Sequence, residues 1–424
     1  MRGPNAVEHP RNMEASRMCS TLRRVVTMLV VVTCFGAATP ATAGLPFGSQ
    51  LAELKRVLQG KRVGLLTCPT AVDARFNLIA DRLAEDPEIT LVCFFAPEHG
   101  LRGDRQAGGK VTDYRDPVSG LPVYSVYSTR RAPAPEHLEQ LDVIVCDMQD
   151  VGVRFYTRAW TMTLAMQAAA QAGKEFVVFD RPNPIGLQRV SGAPNTIDAG
   201  LIGPLWPGQP FGVATRHGMT MGEIATLVNA EWAQRPVRLT VVKVPGYRRS
   251  MSFEETGYPW VLPSPNMPTL ETAAVYPGTC IFEGTNLSEG RGTTRPFELV
   301  GAPFIDAVAL AERLNAARLA GVRFRAAWFI PTFDDHDGER CAGVQLHVTD
   351  EASFEPIRTG LTMLKVVCEM YPEQVVVKSW ASRLMGVPDL HKRIRTESVD
   401  ALMRGWESDL KAFKALRKAH LLYP

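Results

Sequence analysis

Clustered metal ligands are missing from this 424-residue sequence: its eight cysteines form no C-x-x-C pair and no Cys/His cluster. The ligand grouping that a structural zinc requires is therefore absent, and no metal is expected. No G-x-G-x-x-G follows a strand-like run, which removes the usual backbone cradle for a dinucleotide, and no cofactor is expected. There is also no G-x-S-x-G elbow, no H-E-x-x-H, and no cysteine with an evident histidine partner, which argues against an amidase or esterase. Strong net charge is lacking too. Five arginines and two glutamates precede Gly44, so the rest of the chain carries 42 basic against 42 acidic residues. Such a balance gives no electrostatic attraction toward nucleic acid or an anionic membrane. Internal repeats and low-complexity tracts are absent as well.

What is present begins with a leader. Arg23 and Arg24 precede an apolar run from Val25 to Ala38, and Ala41-Thr42-Ala43 offers small residues for cleavage before Gly44. A basic start, a short apolar middle and an A-x-A end read as a secretory signal over residues 1–43. The run is shorter than the roughly 20 residues a membrane span needs, and no later segment reaches that length, so no stable membrane insertion is expected after cleavage. Met13 and Met18 are alternative starts, and Cys34 after Val32-Thr33 is a poor lipoprotein match. An exported, periplasmic or extracellular protein follows. In an oxidising compartment Cys280 and Cys341 are candidates for a disulfide, whereas Cys93 and Cys146 lie in apolar runs and read as buried thiols.

Apolar content of 46% and charged content of 21% are ordinary for a globular chain. Short β-rich runs occur at Val63–Thr67, Leu91–Ala96, Val143–Asp147 and Phe176–Asp180. Helix-like stretches alternate with them, from Ala74 to Glu85 after a possible Asp73 cap and from Ala159 to Ala172 before Gly173. Thr220-Met221-Gly222-Glu223 has capping-box spacing and opens a helix to about Ala233, followed by a strand from Arg238 to Val244. Runs apolar on both faces, separated by helices, require a parallel sheet covered on both sides. The expected fold is α/β: a doubly wound domain over residues 44–262, and a smaller α+β domain over 263–424 completing a cleft. The boundary is the proline-rich stretch Pro259 to Pro268. Beyond it, helices are expected from Ile305 to Ala320, Phe354 to Met370 and Val399 to His420, with strands at Val322–Phe329 and Gly343–Val348.

In such sheets ligands bind beyond the carboxyl ends of the strands. All four early strands run into polar residues there: Thr67-Cys68-Pro69-Thr70; Pro97-Glu98-His99-Gly100 with Arg102 and Asp104; Asp147-Met148-Gln149-Asp150 with Arg154, Phe155 and Tyr156; and Asp180-Arg181-Pro182-Asn183-Pro184. The second domain adds Glu283 to Glu298, a segment of carboxylates and arginines among small residues that cannot drive its own burial. Carboxylates on such a rim suit glycoside cleavage, which needs an acid for the leaving oxygen and a second carboxylate for water or the sugar carbon. Glu98 is the best acid, because Pro97 and the strand end hold it in a partly apolar setting that favours a protonated carboxyl. Asp150, Asp147, Glu289 and Glu298 are open as the second carboxylate, with Asp150 and Glu289 carried forward as catalytic candidates. Arg154, Arg181, Arg291 and Arg295 suit a substrate carboxylate through forked hydrogen bonds. His99, Tyr156, Asn183, His217, Asn286 and Glu298 complete the candidate binding set. Arg216-His217, just before the capped helix, reads equally as an anion site or as a cap.

At these residues the chain resembles a known family. GLLTCPT (64–70), FFAPEHGLRGD (94–104), DMQDVGVRFYT (147–157), DRPNPIG (180–186), RHGMT (216–220), SPNMPTLETA (264–273), YPGTCIFEGTNLSEGRGTTRPFE (276–298) and GVQLHVTD (343–350) are similar to the NamZ-type exo-β-N-acetylmuramidases. The resemblance implies a Rossmann-like N-terminal domain without nucleotide, a smaller C-terminal domain, and an active site in the cleft between them. It implies hydrolysis of terminal, non-reducing β-linked N-acetylmuramic acid in peptidoglycan fragments, with no metal, and Glu98 as the leading catalytic residue. The lactyl carboxylate of that sugar would account for the arginines, so Arg291→Ala or Arg295→Ala is expected to weaken muramic acid binding more than that of N-acetylglucosamine glycosides. One departure is Cys68, where the family usually has asparagine, which puts one substrate contact in doubt. A non-catalytic envelope protein binding wall glycans through the same rim is the alternative.

Overall fold

The computed structural model describes residues 44–424 except 104–108, 110, 111, 128 and 129. The expected leader, with Cys34, and Asp104 lie outside the described residues. The first half of the chain builds a seven-stranded sheet from β1 (Arg62–Thr67), β2 (Thr90–Ala96), β3 (Tyr114–Arg115), β4 (Pro122–Ser125), β5 (Val143–Asp147), β6 (Glu175–Phe179) and, after a small hairpin of β7 (Ser191–Pro194) and β8 (Ala214–Arg216), β9 (Arg238–Val242). The spatial order is β3-β4-β2-β1-β5-β6-β9. Every neighbouring pair is parallel except β3 with β4. From β1 the chain first adds strands on one side, then returns to add β5, β6 and β9 on the other, so strand order reverses between β1 and β5. That reversal opens a crevice at the carboxyl ends, because the loops leaving β1 and β5 diverge to opposite sides.

The sheet is apolar on both faces, as its continuous hydrophobic runs require. Val63, Leu65, Phe94, Val145 and Phe179 point into one core, where the helix Phe47–Leu58 packs. Leu66, Phe95, Ile144, Cys146 and Val178 point into the other, against the helix Arg158–Gln171. That helix ends before Gly173, whose φ of 67° is open to glycine at little cost. The Thr220 capping box forms as its spacing indicates, with Thr220 Oγ1 accepting from Glu223 N and Glu223 accepting from Thr220 N.

The second half adds an antiparallel sheet, β10 (Leu299–Ala302), β11 (Val322–Phe329) and β12 (Cys341–Val348), in the order β10-β12-β11. Along β11, Val322 and Phe324 are buried while Arg323 and Arg325 are exposed, the alternation of a sheet wet on one face. Its dry face packs on the helices Ala307–Ala316 and Pro356–Met370. The latter crosses the helix Leu270–Thr279 at closest approach through two glycines. A Cβ on Gly278 would lie 1.9 Å from Pro356 O, and one on Gly360 2.0 Å from Gly278 O. Only hydrogen fits there, and the crossing fixes the helix that carries Tyr276.

Several expectations are corrected. The stretch 74–85 is helical only from Ile79 to Ala84, because Asp73 Oδ1 accepts from Arg75 N and Asn77 N and closes a turn instead of capping a helix. The expected long last helix is two, Val399–Arg404 and Glu407–Lys418, separated at Gly405 and the buried Trp406. The second of these returns to the first sheet. Phe413 enters its core, Tyr423 Oη donates to Asp180 Oδ2 at 2.6 Å, and Leu422 N donates to Glu223 at 2.9 Å. Cys280 and Cys341, the candidates for a disulfide, are free buried thiols, like Cys68, Cys93, Cys146 and Cys368.

Candidate active site

A cleft of ≈ 600 Å³ lies over the carboxyl ends of β2, β4 and β5. From the first half it is lined by Glu98 and His99 after β2, Tyr127 after β4, and Phe155, Tyr156 and Thr157 after β5. From the second half come Ser264, Asn266, Tyr276, Glu283, Arg291 and Asp334, with Phe333 and Trp380 as half-exposed aromatic faces. The volume and the mixture of aromatic and polar groups suit a sugar residue. A larger groove of ≈ 950 Å³ runs along Asp73 to Glu85. Of its acids, Asp73 and Asp81 are held by Arg82 and Arg102, each at 2.8 Å, which leaves these two as structural pairs.

Glu98 follows β2 on a tight turn closed by Gly100 N donating to Pro97 O at 3.1 Å. Inside the turn His99 has φ 72°, a left-handed conformation costly for a residue with a Cβ. The strained turn aims the Glu98 carboxyl into the cleft. There Tyr127 Oη donates to Oε1 at 2.6 Å and Thr157 Oγ1 to Oε2 at 3.2 Å, so both oxygens are anchored.

Across the cleft Glu283 ends a helical turn, Cys280–Gly284, and accepts from Arg291 at 2.7 Å and from the Cys280 thiol at 3.3 Å. Arg291 also meets Glu289 at 3.2 Å and Asp334 at 3.5 Å, and lies over the Phe297 ring at 5.2 Å. Three carboxylates around one guanidinium hold it charged and leave little attraction for another anion. Glu289, buried beneath this cluster, has a carboxyl raised to about 7, because burial outweighs the attraction of Arg291. A carboxyl raised on folding contributes stability below its unfolded value and loses it as pH climbs through the folded value. Wild-type protein should therefore lose stability between about pH 4.5 and pH 7, by on the order of 3 kcal/mol from this group. Glu289→Gln should flatten that window in urea denaturation. An unchanged slope would mean Glu289 titrates normally.

Of the expected site residues, Glu98, His99, Tyr156 and Arg291 line the cleft. The others do not. Arg181 is buried in a two-point pair with Asp147, at 2.5 and 3.1 Å, and donates to Val72 O, so it joins neighbouring strand ends. Arg154 is buried and donates to Ile202 O and Leu384 O, bracing the wall from behind. Asn183 spans its own loop to Met219 O, and Asn286 pairs with the backbone of Gln374 and Val376. Arg295 pairs with Glu298 at 3.3 Å, and Glu298 also accepts from Thr272, outside the cleft lining. Asp150 accepts from Gly152 N and sits 3.4 Å from His217, both buried below the rim. Glu289 likewise lies below the cleft, leaving Glu283 and Asp334 as the carboxylates that line it opposite Glu98. Arg216, with its guanidinium on Ile185 O, neither caps the following helix nor reaches the cleft; Thr220 does the capping. Cys68 is buried 3.0 Å from Thr70 Oγ1 and is absent from the lining, so its departure from asparagine alters a support.

The sequence reading missed Tyr127, Thr157, Ser264, Asn266, Tyr276, Glu283, Phe333, Asp334 and Trp380 as cleft residues. The tight SPNMP spacing was a signal for Ser264 and Asn266, and Glu283 stood in the polar segment already singled out.

Carboxylates from both halves of the chain lining one sugar-sized cleft, over the reversal point of a parallel sheet, suit a glycoside hydrolase on an α/β scaffold. Comparison with known proteins specifies which. Residues 63–271 match the family described as exo-beta-N-acetylmuramidase NamZ, N-terminal, and 274–423 match its C-terminal counterpart. The chain is 43% identical over 418 residues to the peptidoglycan beta-N-acetylmuramidase NamZ of Bacillus subtilis, covering 95% of this chain and 100% of that one. Two crystal structures of DUF1343 family proteins from Bacteroides fragilis share the fold. One has a TM-score of 0.82 at 33% identity, covering 90% of this chain and 99% of its own. The other has a TM-score of 0.67 at 27% identity, covering 89% and 98%. The chain belongs to the NamZ exo-β-N-acetylmuramidase family.

Proposed function

We infer that this protein is an exo-acting glycoside hydrolase releasing terminal, non-reducing β-linked N-acetylmuramic acid from peptidoglycan fragments, with Glu98 as the proton donor. Family membership over nearly the whole chain supports the activity, and the anchored position of Glu98 in the cleft carries the mechanism. The Glu98 carboxyl gives its proton to the glycosidic oxygen as the bond to the anomeric carbon breaks. Tyr127 and Thr157 fix its orientation, so no time is lost searching for the transfer geometry. Glu283, steadied by Arg291, is the carboxylate for water or for the anomeric carbon on the opposite side. Phe333 and Trp380 offer apolar faces for the sugar ring.

The parallel sheet belongs to the Rossmann-like class on this reading, supported by its reversal of order between β1 and β5. Residues 44–262 form the first domain and 263–424 the second, with the last helix clasping both. Export is part of the same proposal and rests on the Arg23-Arg24, Val25–Ala38 and Ala41-Thr42-Ala43 pattern. The test is digestion of a reducing-end-labelled muramic-acid-terminated oligosaccharide followed by mass spectrometry. Free N-acetylmuramic acid and a chain shortened by one sugar are expected. Internal fragments, or tight binding with no release, would refute the reading.

A further inference from the structure

The arginines expected to hold the lactyl carboxylate are committed elsewhere, Arg291 to three carboxylates and Arg295 to Glu298. The substrate's negative charge must then find other donors in a cleft that also carries Glu98, Glu283 and Asp334. Three unfilled groups belong to residues that line it: Arg291 Nε, on a guanidinium already surrounded by three carboxylates, and two neutral donors. Asn266 is 6% exposed, and its Nδ2 has no hydrogen-bond partner. The Tyr156 hydroxyl is buried, and it too has no partner. A buried amide or phenol left unpaired costs about 1–3 kcal/mol, a cost that a ligand accepting from it removes.

Behind both sits Arg158. Its guanidinium lies 5.6 Å from the Tyr156 ring centre and donates to Pro263 O, at the start of the segment that carries Asn266. Its remaining partners are Thr70 Oγ1 and Gln149 O, both at 3.0 Å, so among the described residues none of its hydrogen bonds goes to a carboxylate. A buried cation with neutral partners projects its potential forward, through the tyrosine and the amide, into the cleft.

We propose that Asn266 Nδ2 and Tyr156 Oη, over the buried Arg158, form the subsite for the lactyl carboxylate of N-acetylmuramic acid. Neutral donors bind the anion here, and the charge that favours it stays out of contact. This rests on the muramidase reading and adds the basis of its preference for muramic acid over N-acetylglucosamine. Glu98 and Asp150, whose charges act on both Tyr156 and Arg158, limit the potential, Glu98 from the cleft itself and Asp150 from below the rim.

The test compares three aryl glycosides: the β-N-acetylmuraminide, the same compound with its lactyl carboxylate converted to carboxamide, and the β-N-acetylglucosaminide. Asn266→Asp keeps the side-chain shape but replaces the donor with a negative charge. It should raise KM for the muraminide by about 10- to 100-fold. KM for the carboxamide should stay within about threefold, since the carboxamide can donate to the new acceptor. Tyr156→Phe removes one oxygen only and should raise KM for the muraminide by about 5- to 10-fold, with little change for the glucosaminide. Thermal unfolding of both variants establishes that they are folded. Equal losses on all three glycosides, or an unchanged KM for the muraminide, would overturn the assignment. The readout is a ratio of KM values between substrates that share one aglycone, whereas failure of the muramidase reading would show as no aglycone released from the muraminide by the wild-type protein.

Discussion

Replacing Glu98 with glutamine is expected to lower kcat on a natural muramic-acid-terminated disaccharide by about a thousandfold, with substrate affinity changed only a few-fold. General acid catalysis contributes about 10²–10⁴ to such steps, and a thousandfold is about 4 kcal/mol of barrier. The leaving group of a sugar–sugar bond is a poor one, so it depends on receiving a proton as the bond breaks. Glutamine has the same size and can keep both contacts, its carbonyl oxygen accepting from one of the Tyr127 and Thr157 hydroxyls and its amide donating to the other, so the turn and the cleft should keep their form. What it lacks is a proton to give. Stopped assays on the disaccharide give kcat, and calorimetric titration with the uncleaved substrate gives affinity. A variant within tenfold of wild type would place the acid elsewhere, with Glu283 or Asp334 next in line.

Asp147→Ala should unfold the protein more readily by about 3–5 kcal/mol, the second large effect. Asp147 is fully buried at the end of β5, and Arg181 at the start of the loop after β6 is 3% exposed. Their two-point pair ties neighbouring strand ends just under the cleft floor. Removing the carboxylate strands a guanidinium that has only Val72 O left as a partner, and the desolvation penalty of that charge is no longer offset. The paired replacement Asp147→Leu with Arg181→Met should recover most of the loss, because no charge is then buried. Urea denaturation of the single and double variants gives the comparison. A single variant within about 1 kcal/mol of wild type would show that water already reaches Arg181.

The same pair marks where sequence reasoning stops. Periodicity located β1, β2, β5 and β6 to within a residue or so at either end, since a strand buried on both faces must be apolar throughout. The Thr220 box and Gly173 placed helix ends, because caps are local chemistry. Glu98 could be found at a strand end by the same local logic. Arg181, however, reads identically whether it meets a substrate carboxylate or Asp147, because its partner lies on a neighbouring strand. Arg295 reads just as ambiguously although Glu298 is only three residues away, because spacing does not say whether an arginine meets that carboxylate or a substrate. Asn266 was passed over since a proline-rich stretch has the look of a linker, although its prolines here hold a cleft wall. Glu289 stands as a candidate in the sequence and Glu283 does not, because which of them faces the cleft depends on a turn of irregular chain whose direction no periodicity encodes. The return of Phe413 and Tyr423 to the first sheet had no signal at all, since a helix pattern does not say which core it joins.

The most direct test of Glu98 as proton donor is the leaving-group dependence of the Glu98→Gln variant. A dinitrophenyl aglycone departs without a proton, whereas a sugar aglycone cannot. The variant should hydrolyse dinitrophenyl β-N-acetylmuraminide at a rate within about tenfold of wild type while losing about a thousandfold on the disaccharide. Equal losses on the two substrates would contradict the assignment and would reduce Glu98 to a group that only positions the sugar.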